Sequence, residues 1–242
     1  MRRFYVAQEI AGDKVVIADT GQLHHLKDVL RLKTDDEVII FDSRGNEYRC
    51  SIAELHKNQA VLTVKDRKRA GTRKTRLTVA CAIPKKAGMD DIIDSLTQLG
   101  VDGIIPMETE RVIIRLDEAK KEARLERWRR IAQSAARQSQ RNTIPLIQPI
   151  TGIDSVIAHS HDFDLRLIPT LSGDKKHIRE VLGESRPDNI LVLIGPEGDF
   201  TPQEIELATS AGFIPVSLGD FVLRVSTAAI AVVSYIKLSL NG

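Results

Sequence analysis

Short apolar runs alternate with amphipathic stretches along most of the chain, most clearly between Ile190 and Leu240. The run from Ile190 to Ile194 is short and rich in β-branched residues, which predicts a buried parallel strand. Thr201, Pro202 and Glu204 follow with the spacing of a helix start: an N-cap hydroxyl, a proline in the first turn, and an acid three residues after the cap. This part of the chain therefore predicts a strand, a glycine-containing loop and a helix.

A second unit of the same kind follows. The helix is expected to stop at Gly212, and Pro215 to Leu218 predicts another short strand. A loop from Gly219 to Arg224 then leads into an apolar helix from Thr227 to Leu240. Loops at the carboxyl ends of parallel strands are favoured places for small ligands. Gly-Pro and Leu-Gly are also ordinary turn dipeptides, and neither loop fits a dinucleotide or P-loop motif, so a reading as plain turns stays open.

Upstream, from Leu77, strands and helices also alternate, which predicts a mostly parallel sheet and an α/β fold. The predicted strands are Leu77 to Ile83, Ile104 to Ile105 (ending at Pro106) and Phe163 to Pro169, and the predicted helices are Met89 to Leu99 (closed by Gly100), Glu118 to Ser139 and Lys175 to Leu182.

The first seventy or so residues have a different texture, with short alternating runs typical of a small β domain. The predicted strands are Lys14 to Ala18, Glu37 to Phe41, Glu47 to Ile52 and Ala60 to Val64, with a hairpin turn at Ser43 to Asn46 and one helical piece at Leu23 to Leu30. A partly closed barrel with one helix accounts for this pattern and requires no particular function.

Composition narrows the class of protein. The chain has 242 residues, 42% of them hydrophobic, which is enough for a real core. Cys50 and Cys81 lack metal-like spacing, and the pair His24 and His25 fits a surface better than a metal site. We see no signal peptide and no apolar run of membrane length, which predicts a soluble, cytoplasmic protein with no metal and no membrane partner. The net charge is only +2, so a nucleic-acid site needs locally clustered charge.

Such a cluster occurs between Lys65 and Arg76, where seven basic residues and one acid give a local charge of +6. A solvated linker between domains is one interpretation of a charge run. A strip that contacts phosphates is the other, because clustered Lys and Arg release counterions from a nucleic-acid backbone. A linker between two RNA-facing domains could be both.

Several motifs carry a family resemblance. GPEGDF, then LGDFVLR, then a threonine-led apolar helix resemble the cofactor region of the knotted SPOUT RNA methyltransferases. The bacterial 16S ribosomal RNA uridine-N3 methyltransferase family, with GPEGGF and LG…ILRTETA, is the closer match. PKKAGMDDIIDSLTQLGVDGIIPMETER and ARQSQRNTIP also resemble that family, as do HHLKDVLR and FDSRGNEYRCSI near the start. The likeness thus covers nearly the whole chain.

The resemblance implies a fold and an activity. It implies a PUA-like, RNA-contacting β-barrel over residues 1–72 and an α/β trefoil-knot domain over residues 73–242. It implies methylation of a uridine at N3 in 16S ribosomal RNA, free or in the 30S subunit, with S-adenosylmethionine bound in a bent form. It also implies a homodimer that pairs through the knot and the C-terminal helix. The alternative for this apolar helix is burial in the core of a single chain.

The resemblance also implies site residues. The expected cofactor-binding residues are Leu167, Pro169, Gly195, Pro196, Glu197, Gly198, Leu218, Gly219, Leu223 and Thr227. The expected RNA-binding residues include four from the basic cluster, Lys68, Arg69, Arg73 and Lys74, which are proposed from their charge, and in addition Arg31, Lys86 and Arg111.

The chemistry adds a catalytic candidate. Uridine N3 carries a proton at neutral pH and faces inward in a base pair, so the enzyme needs an unpaired base. Something must also stabilise the uridine anion. Arg224 is the candidate, because it lies in the second glycine loop and a guanidinium stays charged at any working pH.

Four positions depart from the family pattern. Asp199 stands in place of a glycine, Val225-Ser226 in place of Thr-Glu, Gln98 in place of Glu, and Arg137 in place of an acid. If the missing loop carboxylate accepted the proton, its absence argues against activity; if it positioned a neighbour, Ser226 can replace it as an N-cap. Two other functions therefore stay open: a knotted RNA-binding protein with little or no methyltransferase activity, and a methyltransferase for another RNA.

Overall fold

The computed structural model describes residues 2–68, 75–84, 88–111, 117–183 and 187–240. The chain divides into two compact units. Unit 1 consists of Met1–Thr72 and Ala136–Ile144, and unit 2 consists of Arg73–Ala135 and Pro145–Gly242. The predicted boundary between residues 72 and 73 falls outside the described ranges and stays a prediction.

Unit 1 contains a curled, half-barrel sheet of five strands. They are β1 (Arg2–Tyr5), β2 (Lys14–Ile17), β3 (Glu37–Phe41), β4 (Glu47–Leu55) and β5 (Ala60–Lys68), in the order β1-β3-β4-β5-β2. The pairs β3/β4, β4/β5 and β2/β5 are antiparallel, whereas β1 runs parallel to β3. The prediction of a small β domain is confirmed, and β1 is a strand that the sequence pattern did not reveal.

One helical segment closes the core of unit 1. Helix α1 (Thr20–His24) begins at Asp19, whose side chain accepts a hydrogen bond from the Gln22 amide at 2.8 Å. It continues as a π-helical turn, His25–Val29. The helical piece predicted from Leu23 to Leu30 therefore starts earlier than expected, because Asp19 supplies a cap. Apolar side chains from the sheet and this segment form the core, among them Phe4, Leu26, Val38, Ile40 and Leu62.

The first residues of the basic stretch belong to a strand, contrary to the linker interpretation. Strand β5 continues to Lys68, which lies opposite Glu47, and Asp66 lies opposite Arg49. Opposite charges facing each other across neighbouring strands stabilise the pairing, so the charged sequence is compatible with a ladder. Residues 69–74 lie outside the described ranges.

Unit 2 is built on a parallel sheet of eight strands. They are β6 (Arg76–Ala82), β7 (Gly103–Glu108), β8 (Leu146–Ile147), β9 (Thr151–Gly152), β10 (Leu165–Pro169), β11 (Lys176–His177), β12 (Asn189–Ile194) and β13 (Ile214–Ser217). The order is β11-β13-β10-β12-β6-β7-β8, and β9 also pairs with β7. All recorded pairs are parallel, which confirms the predicted α/β class with a mostly parallel sheet. The apolar strand β12 lies between β10 and β6, as a strand buried on both faces should.

Helices accompany the strands of unit 2. They are α2 (Met89–Gln98), α3 (Glu118–Gln138, whose last three residues belong to unit 1), α4 (Ile153–Ala158), α5 (Ile178–Gly183), α6 (Pro202–Ser210) and α7 (Val225–Leu240), with a short 3-10 turn at Ser160–Asp162. Gly100 and Gly212 follow α2 and α6 with φ values of +89° and +84°, the left-handed conformation that ends helices. Both helix ends were predicted from these glycines.

Two elements of unit 2 differ from prediction. Strand β7 runs through Pro106 to Glu108. On one side of β7 the pairing skips from Ile104 to Met107, which leaves room for a residue without an N–H. The helix predicted from Lys175 starts only at Ile178, because Lys176–His177 pairs with β13. Helix α4 and the two-residue strands β8 and β9 were not predicted.

Helix α7 is apolar, but only one face of it is buried within the chain. Val225, Ala229, Val232, Val233 and Ile236 are buried. Other apolar positions are exposed, including Ile230 at 37% and Leu238 at 79%. The alternative of a helix buried within one chain is therefore wrong, and the exposed apolar stripe is a surface that needs an explanation.

Within the described ranges, no helix is long and apolar enough to cross a membrane.

Candidate ligand pocket

Three loops meet where three neighbouring parallel strands end. The loop after β10 (Thr170 to Lys175, called here the β10 loop) lies beside the loop after β12 (Gly195 to Thr201, the first glycine loop) and the loop after β13 (Leu218 to Arg224, the second glycine loop). Together with the start of α7 they enclose a pocket of about 420 Å³. The carboxyl end of a parallel sheet is the expected place for a ligand.

The first glycine loop is compact because Gly195 has no side chain. A Cβ at this position would lie 3.0 Å from the Phe200 ring, closer than side chains normally approach. Phe200 is itself 2% exposed, so the ring has little space into which it can move. The Asp199 amide donates to the Pro196 carbonyl at 3.0 Å and closes a tight turn between them. Glycine at position 195 is thus a requirement of packing.

Asp199 links the first glycine loop to the β10 loop. Its Oδ2 atom accepts hydrogen bonds from the Thr170 hydroxyl and the Leu171 amide, both at 2.9 Å. Its φ is +61°, the left-handed region that glycine adopts most easily and aspartate tolerates. That conformation explains why a glycine suits this position in GPEGGF, and the two hydrogen bonds show what aspartate adds.

A second set of contacts holds the first glycine loop from the end of β7. Glu204 is 6% exposed, and its carboxylate accepts from the Glu110 and Thr201 amides, each at 2.8 Å. The Arg111 guanidinium donates to the carbonyl oxygen of Gly198 and, at 3.3 Å each, to those of the next two residues. Residues 110 and 111 therefore fix the position of a loop almost ninety residues further along the chain.

The second glycine loop forms the opposite wall. Gly219 has a φ of +122°, and its amide donates to the Ser217 hydroxyl at 3.2 Å. Phe221 and Val222 project from the pocket wall with 84% and 72% of their surfaces exposed. Helix α7 starts directly after Arg224, whose carbonyl accepts from the Ala228 amide at 2.8 Å.

The structure brings most of the predicted cofactor residues together. Those lining the pocket are Pro169, Gly195, Pro196, Glu197, Leu218, Gly219 and Leu223. The other three lie elsewhere. Leu167 is fully buried within β10, Gly198 lines an adjoining groove together with Arg111, and Thr227 is exposed on α7.

Arg224 is exposed and lies between two pocket-lining residues, Leu223 and Val225. Among the predicted RNA-binding residues, Arg31 and Lys68 are exposed in unit 1, and Arg111 holds the first glycine loop as described above. The remaining four, Arg69, Arg73, Lys74 and Lys86, lie outside the described residues.

The sequence interpretation missed the β10 loop as a wall of the pocket. Thr170, Leu171 and Lys175 line it, as do Asp199 and Asp220. The available signal was the position of the β10 loop directly after a predicted parallel strand. The partner of Asp199 could not be read from the sequence, because it lies far away along the chain.

The charges around the pocket are mainly negative. Glu197, Asp199 and Asp220 contribute three carboxylates, and Lys175 contributes one ammonium, which donates to the Leu171 carbonyl at 2.5 Å. Burial, followed by the charge of Glu197, raises the pKa of the Cys81 thiol at the end of β6 to about 12. A pocket of this kind favours a ligand that carries positive charge next to apolar surface. Among residues whose placement is described, no cluster of side chains could hold a metal ion.

Comparison with known proteins gives this geometry a context. Residues 72–237 match the family model described as an RNA methyltransferase domain, and residues 17–65 match that of an RNA methyltransferase PUA domain. The ribosomal RNA small subunit methyltransferase E of Synechocystis sp. is 34% identical over 99% of this chain and 78% of its own length. The chain belongs to the ribosomal RNA small subunit methyltransferase E family. The Bacillus subtilis protein of the same name is 27% identical over 100% of this chain and 99% of its own length.

Solved structures of methyltransferases share the fold. One is the methyltransferase E of Neisseria gonorrhoeae bound to S-adenosylmethionine, with a TM-score of 0.86, 29% identity, and coverage of 98% of this chain and 97% of that one. Another is a Legionella pneumophila methyltransferase, also with bound cofactor, with a TM-score of 0.87, 28% identity, and the same coverage of both chains. The family assignment predicted from GPEGDF and LGDFVLR is confirmed.

Proposed function

We propose that this protein transfers a methyl group from S-adenosylmethionine to N3 of a uridine in 16S ribosomal RNA of the small subunit. The observation that carries the proposal is the pocket at the ends of β10, β12 and β13, because the similar Neisseria gonorrhoeae and Legionella pneumophila structures contain this cofactor. Because its substrate is ribosomal RNA, we place its action in the cytoplasm.

The pocket suits this cofactor in charge and in shape. S-adenosylmethionine carries a sulfonium and an ammonium group, and three carboxylates face the pocket. Gly195 and Gly219 let the backbone approach a ligand closely, and the apolar Leu218 and Leu223 offer surface to an adenine ring. The cofactor supplies an already activated methyl group, so the protein's task is to bind, to orient and to manage a proton.

Arg224 is proposed to stabilise the uridine anion that forms when N3 loses its proton. Its exposed position beside the pocket leaves the guanidinium accessible to an incoming base. A buried ion pair would have argued against this role. The cationic guanidinium would lower the energy of the anion without itself changing protonation state.

The basic residues away from the pocket are proposed to contact the RNA backbone. Arg31 and Lys68 are exposed in unit 1, where a PUA-like domain over residues 1–72 would face RNA. Contacts to phosphates add affinity and position the substrate without choosing its sequence. Residues 73–242 would form the methyltransferase domain.

We further propose that the loops around the pocket form a trefoil knot and that two chains pair through it and through α7. The exposed apolar stripe on α7, with Ile230 at 37% and Leu238 at 79% exposure, supports the pairing. Light scattering at micromolar concentration should then give twice the chain mass of 26.9 kDa. A monomer mass would contradict the pairing.

The activity is tested by methyl transfer. Purified protein and S-adenosylmethionine labelled on its methyl group are incubated with 30S subunits and with free 16S RNA, both from cells that lack the modification. The RNA is then digested to nucleosides. Labelled 3-methyluridine would support the proposal, whereas a different methylated nucleoside would overturn the N3 assignment alone.

RNA binding without any transfer would favour the second function, a knotted RNA-binding protein. The structural observation behind it is the start of α7, where Val225 is buried and Ser226 half-buried, and neither carries a carboxylate. Calorimetry with S-adenosylmethionine separates the two functions, since a pure RNA binder has no need of a methyl donor.

A further inference from the structure

We propose that Asp199 is a positioning residue for the cofactor: its carboxylate ties the first glycine loop to the β10 loop and so sets the distance between two walls of the pocket. This inference rests on the proposed function, because it assigns the pocket to S-adenosylmethionine. It concerns a residue that departs from the GPEGGF pattern and was, from sequence alone, a reason to doubt activity.

The link between the two loops consists of two hydrogen bonds to one carboxylate oxygen. Asp199 Oδ2 accepts from the Thr170 hydroxyl and from the Leu171 amide at 2.9 Å each. The three residues all line the pocket, so the two hydrogen bonds cross from one wall to the next. Thr170 is only 7% exposed, so the hydrogen bond from its hydroxyl is partly shielded from water and contributes more than the exposed bond from the Leu171 amide.

The link also organises the β10 loop beyond the two donors. The Thr170 hydroxyl, besides donating to Asp199, accepts from the Ser172 amide at 3.2 Å. The Lys175 ammonium donates to the Leu171 carbonyl at 2.5 Å. The carboxylate therefore holds the first two residues of the β10 loop, and the second of them accepts from Lys175, the only lysine among the described residues that line the pocket.

The aspartate occupies a strained position. With a φ of +61°, Asp199 adopts a conformation that glycine would adopt without cost. Glycine has no side chain and would leave the Thr170 hydroxyl and the Leu171 amide without this acceptor. Aspartate and asparagine are the residues that tolerate such a conformation and also offer an oxygen. The link gives a reason for accepting the strain.

These arguments give opposite expectations for two substitutions. In Asp199→Gly the strain disappears and the link is lost, so the protein should remain folded while its affinity for S-adenosylmethionine falls roughly tenfold or more. In Asp199→Asn the side-chain oxygen can still accept both hydrogen bonds, so affinity should stay within about threefold of the original protein. If the negative charge alone mattered, Asp199→Asn should instead bind S-adenosylmethionine much more weakly than the original protein.

A substitution of the hydrogen-bond partner Thr170 tests the same contact from the other side. Thr170→Val removes the hydroxyl at nearly constant volume and should weaken binding in part. Combined with Asp199→Gly it should add little further loss, because both changes break the same contact. Asp35→Gly is the matched control: Asp35 also has a positive φ, +70°, and lies in unit 1, so cofactor affinity should not change.

The experiment is calorimetric titration of the full chain and the five variants with S-adenosylmethionine, beside thermal unfolding of each. Rescue by asparagine, loss in glycine and non-additivity with Thr170→Val would support the inference. Equal affinity of Asp199→Gly and the original protein would overturn it, as would an asparagine variant as weak as the glycine variant. If Asp199→Gly unfolds, Thr170→Val carries the test, and unchanged cofactor affinity in that variant would overturn the inference instead. Failure of the unsubstituted protein to bind would overturn the proposed function, and this inference with it.

Discussion

Two aspartates organise turns in the two units, and they do so over different ranges. Asp42 in unit 1 is fully buried and accepts from the Arg44 amide, from the amide and side chain of Asn46, and from the Tyr48 hydroxyl, at 2.9 to 3.0 Å. All of its partners lie within six residues. Asp199 in unit 2 reaches donors that lie 28 and 29 residues away.

The sequence distance to the partners indicates whether each aspartate serves stability or function. A turn held by local contacts forms one hairpin and needs nothing else, which suits a structural element. A loop held by distant residues takes its position from the sheet beneath it, so several loops can be placed around one ligand. We therefore expect substitutions at Asp42 to act on folding and substitutions around Asp199 to act on binding.

The largest expected effect is that of Asp42→Ala. It removes the acceptor of the buried Tyr48 hydroxyl and of three part-buried donors on Arg44 and Asn46, and we expect a loss of about 3–5 kcal/mol in the free energy of unfolding. Cofactor affinity should be unchanged. Denaturant unfolding measures the stability and calorimetry measures the cofactor affinity. Asp13→Ala is the control. The Asp13 carboxylate pairs with Arg67 but is 85% exposed, so its loss should cost under about 1 kcal/mol.

The same contact has a pH dependence. Burial alone would raise the pKa of Asp42, but hydrogen bonds from Asn46, Tyr48 and Arg44 outweigh it and hold the pKa below its usual value. A carboxylate with a lowered folded-state pKa stabilises the fold above its unfolded pKa, near 3.9, and loses this contribution as pH falls through the folded value. The original protein should thus lose stability below about pH 4 more steeply than Asp42→Ala.

The basic residues should also have different roles in the two regions, with Arg224 acting in methyl transfer and the basic cluster acting in RNA binding. Arg224→Ala should lower kcat about 100-fold, near 2.7 kcal/mol, with little change in RNA affinity. Neutralising Lys68, Arg69, Arg73 and Lys74 together should instead weaken RNA binding and flatten its dependence on log salt by roughly 0.7 per lost contact. Single-turnover methyl transfer measures kcat, and filter binding at several salt concentrations measures RNA affinity. A loss of kcat in the variant neutralised at the four basic positions would contradict this assignment of roles.

A smaller effect is expected from Glu204→Gln, which tests whether distant anchoring matters. The amide can accept from only one of the Glu110 and Thr201 amides, and its NH₂ group then faces the other donor. We expect a loss of about 1–3 kcal/mol in unfolding free energy together with weaker cofactor binding. Glu206→Gln, an exposed position on the same helix, should leave both quantities unchanged. Normal cofactor affinity in Glu204→Gln would mean that the loop keeps its position without this anchor.

The smallest effect concerns the two thiols, one in each unit. Burial raises the pKa of Cys50 to about 11, and burial together with Glu197 raises that of Cys81 to about 12. Neither should react with a thiol reagent at pH 8 in the folded protein. Stability should fall as pH rises above about 8.5, where only the unfolded thiols ionise. In Asp42→Ala, Cys50 should be labelled faster and Cys81 at its original rate; equal acceleration would contradict the contrast between units.

Most of the fold could be predicted from local sequence patterns. The capping signal at Thr201 and Glu204, the stops at Gly100 and Gly212, and the hairpin at residues 43–46 were all readable, because each depends on near neighbours. Strand β1 was not readable, since its four residues become a strand only by pairing with β3. The start of α5 was misplaced for the same reason, because Lys176–His177 pairs with β13.

The candidate site followed the same rule. Both glycine loops were predicted as ligand loops, because they follow apolar strands and match family motifs. The β10 loop and the anchors at Arg111 and Glu204 were not, since their contacts join segments far apart in sequence. Asp199 was noticed only as a departure from a pattern, and its φ and its partners give the physical meaning.

The proposed function requires the glycine loops to form a cofactor site, and calorimetric titration of Gly195→Ala with S-adenosylmethionine tests this most directly. The added Cβ would meet the Phe200 ring at 3.0 Å and displace the loop. The matched control is Gly183→Ala, where a Cβ meets nothing within 4 Å. We predict one site per chain in the unsubstituted protein and the control, and at least roughly tenfold weaker binding in Gly195→Ala. Equal binding by all three proteins, or none by the unsubstituted one, would contradict the account.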